Sequence, residues 1–470
     1  MTDSTCPNEW HYTTLGSIAV WGSGGTPSRK NTDYYGGDIP WIKTGDLGPK
    51  VLSEASEYIT DLGVQKSSAK FFSQGSVVIA MYGATIGKVS ILGIDATTNQ
   101  ACGVGQPVSS LTDSNFLYYL LRNEKDAFIA KGQGGAQPNI SQTVIKEHSI
   151  TLPPLAEQKV IADKLDTLLA QVDSTKARLE RIPEILKRFR QSVLAAAVSG
   201  RLTEEWRGTA SCSFGKPPLT IGPEKEEAPD SWRWEKLTDL AKLESGHTPR
   251  KSKPEYWENG DVPWISLQDI RKAHGKVITS TKFMPNMEGI KNSSARLLPA
   301  GTVCFSRDIS VGYTTVMGRE MATTQHFVNW VCGERINNIY LMYSFMAAKN
   351  HLTISGQGST VKTIYMPACK QFRLLTPPLE EQAEIVRRVD QLFAYADTVE
   401  RQVNSALERV NQLTQSILAK AFRGELTAQW RADHPDLISG DNSAEALLAR
   451  IKAERAAQAP KKRPRKKATT

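Results

Sequence analysis

The fold is decided by LPPLAEQKVIADKLDTLLAQVDSTKARLERIPEILKRFRQSVLAAAVSGRLTEEWR, residues 152–207. Apolar residues recur there at alternating steps of four and three, and a heptad pattern of this length indicates coiled-coil packing. Thr175 is the one polar residue among the repeating positions, which are Ile161, Leu165, Leu168, Val172, Thr175, Leu179, Ile182, Leu186, Phe189 and Val193. The Pro-Pro pair predicts the helix start and Gly200 its end, so we expect a helix over 155–198. Pro183 predicts a kink or break near 181–183.

A second stretch of the same kind runs from TPPLEEQ (376–382) to RGELTAQWR (423–431). Its heptad positions are Ile385, Val389, Leu392, Ala396, Val399, Val403, Ala406, Val410, Leu413 and Ile417. Gly424 stands where a C-terminal cap belongs. Because the chain has one such helix in each half, we expect the two helices to pair in antiparallel fashion, with a globular domain at each end.

The repetition continues outside the helices. GGTPSRKNTDYYGGDIPWI (24–42) returns as GHTPRKSKPEYWENGDVPWI (246–265), and GQGGAQPNIS (132–141) returns as GQGSTVKTIY (356–365). The chain is therefore a duplicated unit of roughly 200 residues, in which each copy opens with a domain rich in Gly, Pro, aromatic residues and short β-prone runs. We predict an α+β fold with two globular domains, in which Trp41 and Trp264 are core anchors.

Composition excludes several classes of protein. A chain of 470 residues, 40% of them hydrophobic and 23% charged, is typical of a globular protein, and its length predicts two domains. No run approaches the ~18 apolar residues of a membrane span, and no apolar run follows a basic start as in a secretory signal. The six cysteines are scattered, which favours reduced thiols over disulfides or a zinc site.

The net charge of +9 is concentrated at one end. Segment 460–470 carries six positive charges and no acid, which leaves +3 for residues 1–459. A disordered basic tail is the simpler interpretation of this segment, and a specific binding element is the alternative. If the nearly balanced body binds nucleic acid, it must do so through local patches or with a partner that supplies phosphate contacts.

No catalytic motif is recognisable. GATIGKV (83–89) has Val89 where a P-loop needs Ser or Thr, and its glycine spacing is too short, so a tight turn is expected. The chain has no glycine-rich methyl-donor motif, and its histidines lack metal-ligand spacing. We therefore expect a non-catalytic protein without its own cofactor or metal.

Both domains carry loops rich in Lys, Arg, Asn, Gln, Thr and Tyr, the side chains that contact phosphates and base edges. The candidates in the first domain are Thr26, Ser28, Arg29, Lys30, Lys43, Thr44, Tyr82, Thr85, Asn99, Gln100, Gln133, Gln137 and Asn139. Those in the second are Thr248, Arg250, Lys251, Ser266, Gln268, Arg307, Gln325, His326, Gln357, Thr360 and Lys362. Ordinary surface turns select many of the same residues and remain the alternative.

The quoted helical stretches and the GxTPxR…GD-[IV]-PWI pattern resemble the specificity subunit of type I restriction-modification enzymes, in particular the type IA group. The resemblance implies two target recognition domains, each reading one half of an asymmetric bipartite DNA site, and helices that set the spacing and dock methyltransferase subunits. It implies double-stranded DNA, two methyltransferase subunits and two restriction subunits as partners. S-adenosylmethionine, ATP and Mg are expected on those partners, and the complex is expected in the bacterial cytoplasm.

On this basis the chain divides into six segments. They are recognition domain 1 (1–153), a central helical region (154–207), an exposed linker (208–230), recognition domain 2 (231–377), a C-terminal helical region (378–431), and a short helix with a basic tail (432–470). Two other classes stay open. An independent enzyme should show a cofactor motif, whereas a purely structural coiled-coil adaptor would not need the polar loops.

Overall fold

The computed structural model describes residues 6–132, 139–208, 218–222, 228–358 and 362–458. The strands of the first half are β1 His11–Thr14, β2 Ala19–Ser23, β3 Tyr35–Ile42, β4 Val51–Leu52, β5 Tyr58–Ile59, β6 Phe71–Phe72, β7 Val77–Ala80, β8 Val89–Leu92, β9 Ala96–Thr98, β10 Cys102–Pro107 and β11 Ser149–Leu152. Its helices are α1 Leu15–Ile18, α2 Asp61–Gln65, α3 Ser114–Asn123, α4 Lys125–Lys131, α5 Gln142–Lys146, α6 Leu155–Val198 and α7 Glu204–Arg207.

The second half repeats the strands of the largest sheet and the long helix in the same order, with differences among the shorter elements. Its strands are β12 Leu219–Ile221, β13 Arg233–Lys236, β14 Ala241–Ser245, β15 Trp264–Ile265, β16 Val277–Ile278, β17 Val303–Ser306, β18 Thr314–Met317, β19 Ala322–Thr323, β20 Phe327–Cys332 and β21 Phe372–Thr376. Its helices are α8 Leu237–Leu240, α9 Leu267–Lys272, α10 Met287–Lys291, α11 Asn338–Ser355, α12 Met366–Cys369, α13 Leu379–Phe422, α14 Ala428–Asp433 and α15 Ala444–Gln458. Ser443 accepts a hydrogen bond from the Ala446 amide (3.2 Å) and caps the start of α15.

The duplication is visible in the sheets. Among the described residues, the largest sheet of the first half has the strand order β2-β10-β7-β8-β4, and that of the second half has the equivalent order β14-β20-β17-β18-β16. In both, the last strand pairs in parallel and the others pair antiparallel. Every residue of β7 and β17 is buried, because these central strands are covered on both faces. The α+β class is confirmed, and one scaffold serves both domains.

The predicted exposed linker is wrong at one point. Leu219–Ile221 form β12, which pairs with β21, and Leu219 and Thr220 are buried. The apolar side chain of Leu219 joins the core of the second half while the sheet satisfies the backbone polar groups. Residues 209–217 and 223–227 of the same predicted linker lie outside the described residues.

The chain forms two compact units, residues 1–179 with 406–470, and residues 180–405, and each long helix contributes to both. Helix α6 has the predicted bounds and continues through Pro183, so the predicted alternative of a break is wrong. Pro183 lies on the exposed side of the helix, where water can hydrate the carbonyl that loses its partner amide. Gly200 and Gly424, both with φ 75°, end the two long helices as predicted.

Within each unit the two helices run antiparallel. In the second unit, Arg190 of α6 contacts Asp397 (2.6 Å) and Glu400 (2.8 Å) of α13. Arg388, which precedes Asp397 on α13, donates to the carbonyl of Leu202, which follows α6 (3.0 Å). In the first unit, Lys164 donates to the carbonyl of Leu426, which follows α13 (2.8 Å). Later positions of α6 thus meet earlier positions of α13.

The burial of each heptad position shows how well the predicted pattern matches the structure of the two long helices. The predicted pairing residues that are buried are Ile161, Leu165, Val172, Leu186, Ile385, Val389 and Val403, and those that are half-buried are Leu168, Leu179, Leu392, Val399 and Val410. Leu413 is 47% exposed, so its prediction as a pairing residue is wrong, whereas Leu418 is 1% exposed. A straight helix of 3.6 residues per turn drifts away from a strict 3.5-residue repeat, which moves the buried stripe from Leu413 towards Leu418.

This burial pattern predicts a large loss of stability for one substitution in the first unit and a small change for another. Leu165→Asp places an unpaired carboxylate in a fully buried position and should lower the free energy of unfolding by about 3 kcal/mol or more. Leu413→Asp should change it by less than about 1 kcal/mol, because the carboxylate stays hydrated. Urea unfolding followed by circular dichroism compares the two variants. Equal losses of unfolding free energy in both variants would contradict the burial of Leu165 and the exposure of Leu413 between the helices.

The start of each long helix is fastened to the rest of its unit by a buried glutamate. Glu157, fully buried, accepts hydrogen bonds from Trp10 Nε1 (2.9 Å) and Thr427 Oγ1 (2.6 Å) and pairs with Arg431. We call Glu157, Trp10, Thr427 and Arg431 the first anchor. It joins PPLAEQ of the first repeat to LTAQWR of the second.

The second unit contains the equivalent arrangement. Glu381, 1% exposed, accepts from Trp232 Nε1 (3.0 Å) and Thr203 Oγ1 (2.8 Å) and pairs with Arg207 (2.6 Å). We call Glu381, Trp232, Thr203 and Arg207 the second anchor. It joins PPLEEQ of the second repeat to LTEEWR of the first, so each repeat closes on the other one.

The glutamine of the same motif attaches the helix start to the globular domain. Gln158 Nε2 donates to the carbonyls of Leu111 and Pro153 (both 2.9 Å), and its Oε1 accepts from the Asp113 amide (3.0 Å). Gln382 makes the equivalent bonds in the second unit. The Pro-Pro-Leu-x-Glu-Gln motif is therefore a structural joint, in which Glu holds the closing segment and Gln holds the domain.

Candidate nucleic-acid interface

In the first domain, loops that follow several strands meet. We call residues 25–31, 43–46, 81–85, 98–101 and 139 the first loop cluster. Thr26 Oγ1 donates to Gln100 Oε1, and the Gly25 amide donates to the Thr98 carbonyl (2.9 Å). The Asn99 amide bonds the Ile42 carbonyl at the end of β3 (2.9 Å).

Two further segments complete the first loop cluster. Tyr82, 42% exposed, forms a β-bridge with Asn139. The Met81 amide beside it donates to the Ala101 carbonyl (2.9 Å), and Thr85 Oγ1 donates to the Tyr82 carbonyl (3.1 Å). Gly83 and Gly87 have φ 63° and 77°, which confirms the predicted tight turn.

The basic side chains of this cluster are paired within the domain. Arg29 makes a bidentate contact with Glu57, and Lys43 Nζ lies 2.9 Å from the same carboxylate. The Arg29 guanidinium also lies 4.3 Å from the centre of the Tyr35 ring. Hydrogen bonds from Arg29 first, and then from Lys43, lower the pKa of Glu57 to about 2 despite partial burial. The carboxylate is charged at neutral pH, so both cations are held in fixed positions.

The second domain brings the equivalent loops together. We call residues 247–251, 306–310, 323–326, 356–358 and 362–364 the second loop cluster. Thr248 Oγ1 donates to Gln325 Oε1 (2.5 Å), which reproduces the Thr26–Gln100 contact of the first domain. The His247 amide donates to the Thr323 carbonyl (2.9 Å), as Gly25 does to Thr98.

Arg307 connects three segments of the second loop cluster. Its Nη2 donates to the Gln325 carbonyl (3.2 Å), its amide to the His326 carbonyl (3.0 Å), and its carbonyl accepts from the Ile364 amide (2.8 Å). His326 Nδ1 lies 2.6 Å from Asp308 Oδ1. Gln357 pairs with Thr363 through two backbone bonds, which carries the exposed Gln357 and Lys362 into the same cluster.

Most predicted contact residues are accessible. The exposed ones are Thr26, Ser28, Arg29, Lys30, Tyr82, Gln100, Asn139, Arg250, Lys251, Gln268, Gln325, Gln357 and Lys362. The half-buried ones are Lys43, Thr44, Thr85, Asn99, Thr248, Arg307 and His326. Gln133, Gln137 and Thr360 lie outside the described residues, as does the basic segment 460–470.

The structure gives Ser266 a role other than the predicted DNA contact. Its side chain is 8% exposed and forms a capping box with Asp269 at the start of α9, with the Ser266 Oγ donating to Asp269 Oδ2 (2.6 Å). The hydroxyl group therefore caps a helix, and the predicted DNA contact is wrong. A Ser followed by Asp three positions later is a signal for this cap in the sequence.

Trp41 and Trp264 are core anchors, as predicted. They are 2% and 3% exposed, and their indole Nε1 atoms donate to the Gly25 carbonyl (3.0 Å) and the His247 carbonyl (3.1 Å). Each tryptophan thereby fixes the start of a loop cluster. Sequence reasoning missed the acidic partners Glu57 and Asp308, since nothing in the local sequence shows which side chain each one contacts.

The described residues contain no group of three or more His, Cys, Asp or Glu residues arranged to hold a metal ion. In that same part of the chain, none of the helices has the length and apolar character needed to cross a membrane.

Comparison with known proteins gives consistent matches. A family model described as the type I restriction modification DNA specificity domain matches residues 7–184 and again 229–409. The chain is 37% identical to the EcoKI specificity subunit of Escherichia coli K12, over 99% of this chain and all of that subunit. It is 42% identical to the EcoDI specificity subunit of E. coli, over 76% of this chain and 80% of that one.

Solved structures share the fold. A chain from a study of complex assembly and conformational transition in a type I R-M system superposes with a TM-score of 0.69 at 18% identity, covering 90% of this chain and 99% of that one. The HsdS subunit from Thermoanaerobacter tengcongensis gives a TM-score of 0.61 at 18% identity, covering 90% and 98%.

Proposed function

Because the chain belongs to the family of type I restriction-modification specificity subunits, we propose that its two loop clusters are the surfaces that contact DNA. The protein is the non-catalytic DNA-recognition subunit of such a system, with two recognition domains. The observation that carries the proposal is the repeated contact Thr26–Gln100 and Thr248–Gln325, which assembles polar loops in the same way in both domains. Polar loops fixed on a rigid sheet suit the reading of base edges.

The clusters differ in the side chains they present, which supports an asymmetric target. Where the first has Tyr82 bridged to Asn139, the second has Asp308 bridged to Thr363. Where the first has Gln100 followed by Ala101, the second has Gln325 followed by His326. One scaffold with different donors and acceptors reads different base pairs. Each domain is therefore assigned one half of a bipartite sequence.

Internal ion pairing supports a role for partner subunits in phosphate binding. Arg29 and Lys43 share Glu57, so two of the predicted cations bring less net charge to DNA than the sequence suggests. We assign further phosphate contacts to two methyltransferase subunits docked on the helices. Those subunits would carry S-adenosylmethionine, and two restriction subunits would supply ATP- and Mg-dependent translocation and cleavage.

Each segment predicted from the sequence is assigned one function in the proposed recognition of DNA. Recognition belongs to 1–153 and 231–377, and spacing and docking belong to 154–207 and 378–431. The bacterial cytoplasm is the proposed location, since the relatives from E. coli are restriction enzyme specificity subunits.

The proposal is tested by damaging one cluster at a time. The pair Thr26→Val with Gln100→Ala should weaken recognition of one half-site by about 10- to 100-fold, the range expected for base-edge contacts, and leave the other half unchanged. Thr248→Val with Gln325→Ala should affect only the other half. The readout is methylation mapping and gel shifts with the assembled methyltransferase.

Gln171→Ala, an exposed amide on α6 outside both clusters, is the matched control. Binding that stays normal in both paired variants would leave a structural adaptor as the better interpretation. Equal weakening of both half-sites by either pair would contradict the assignment of one half to each domain.

The two anchors lead to a prediction about the spacer between the two DNA half-sites. Along the chain, each long helix runs from a residue of one anchor to a residue of the other. Four residues inserted after Leu168 together with four after Leu392 therefore lengthen the two helices between the anchors equally. Four residues add about 6 Å of helix, or one to two base pairs of spacer. Methylation mapping should show the longer spacer. A single insertion should destabilise an anchor, and an unchanged spacer in the double insertion would remove the ruler role.

A further inference from the structure

Ile309 has a backbone conformation that isoleucine normally avoids. It lies in the turn between β17 and β18 with φ 56°, in the left-handed region where a β-branched side chain is strained. Among the described residues, Asn259 (φ 49°) is the other non-glycine residue with positive φ, and Asn tolerates this conformation. The side chain of Ile309 is 52% exposed, so packing in a core does not account for the conformation.

The residues around Ile309 fix the turn from both sides. Asp308 contacts His326 and forms a β-bridge with Thr363, while Ser310 is 6% exposed and its Oγ accepts from Arg271 Nε (2.8 Å). The flanking residues are thus held by the second loop cluster, and Ile309 is its exposed apolar tip. Strain of this kind persists where surrounding contacts determine the backbone, and it concentrates at functional sites.

The first domain shows what the same turn looks like without strain. Met81 and Arg307 are equivalent by their hydrogen bonds, since each amide donates to the loop before β10 or β20 and each carbonyl accepts from an isoleucine amide, Ile140 or Ile364. Two residues farther on stand Gly83 (φ 63°) and Ile309 (φ 56°). A Cβ built on Gly83 meets nothing within 4 Å, so a side chain at this position extends into open space.

We propose that Ile309 is a specificity-determining residue, which contacts the 5-methyl group of a thymine in the half-site read by the second domain. The inference rests on the proposed DNA-facing role of the second loop cluster. The Ile309 side chain follows Asp308, which contacts His326, and has no polar group with which to read a base edge. The thymine methyl is the apolar feature of the major groove. Glycine at position 83 gives the first domain no such contact.

The test uses the complete methyltransferase and its mapped target, in which each thymine of the second half-site is replaced singly by deoxyuridine. At one position, loss of the methyl group should weaken binding about 4-fold, as expected for one buried methyl. Ile309→Gly should abolish the difference between thymine and uracil there without lowering thermal stability, because glycine adopts the turn freely. Ile309→Val should retain part of the difference.

Ile185→Ala, an exposed isoleucine on α6, is the control and should leave the thymine-to-uracil ratio unchanged. A second half-site without thymine, no sensitive position, or a ratio that survives in Ile309→Gly would overturn the inference. Failure of the underlying function is distinguishable, since Thr248→Val with Gln325→Ala would then also leave recognition of this half-site intact.

Discussion

Glu157→Ala is expected to lower the free energy of unfolding of the first unit by about 3–5 kcal/mol, the usual cost of breaking a buried ion pair from one side. The substitution removes the nearer carboxylate of Arg431, whose side chain is 12% exposed and whose other carboxylate partner, the 42% exposed Glu9, lies 3.9 Å away. It also removes the Glu157 oxygens that accept hydrogen bonds from Trp10 and Thr427. Because Glu381 holds the second unit in the same way, the two units should then unfold in separate steps. Urea unfolding combined with limited proteolysis would identify the weakened unit.

The control for this prediction is Glu184→Ala on the same helix. Glu184 is 55% exposed and pairs with Lys187 and Arg188 at the surface, so its loss should cost less than about 1 kcal/mol. Replacing Glu157 and Arg431 together by Met should recover much of the loss, since two apolar side chains leave no buried charge. Similar losses for Glu157→Ala and Glu184→Ala would contradict the anchor.

The fragment 1–207 is expected to form a homodimer that, with the methyltransferase partner, recognises an inverted repeat of one half-site. In the full chain, Glu157 is bound by Thr427 and Arg431 of the second repeat. The fragment lacks those residues but carries their equivalents, Thr203 and Arg207. A second copy can supply them around a two-fold axis, which gives two identical anchors per dimer.

Sedimentation of the fragment and methylation mapping test this expectation. Arg207→Ala in the fragment should dissociate the dimer, whereas Arg201→Ala, an exposed arginine of the same closing segment, should not. Pro183 would then occur in both paired helices and is expected to weaken the dimer. A monomeric fragment, or a dimer indifferent to Arg207→Ala, would show that the halves are not interchangeable.

Much of this architecture follows from the sequence alone. The duplication, the two long helices, their start after a Pro-Pro pair and their end at Gly200 and Gly424 depend on residues within a few positions of one another. The same holds for the tight turn at Gly83 and the cap at Ser443. The assignment to a family of DNA-recognition subunits also followed from the quoted motifs, which are spread from residue 24 to residue 431.

The tertiary structure decided what meets across long separations. Glu157 and Thr427 are 270 residues apart, and the repeat pattern marks both motifs without showing that each repeat closes on the other. The burial of Leu418 in place of Leu413 reflects helix drift and packing on a domain, which a strict heptad count omits.

The same limit applies to the DNA-facing loops. The sequence identified polar residues of the right chemistry, and the fold decided that Arg29 and Lys43 share Glu57 and that Ser266 caps a helix. It also decided that Ile309 projects from a strained turn. Local signals arise from neighbouring backbone and side-chain preferences, whereas partners, burial and backbone strain depend on residues that only folding brings together.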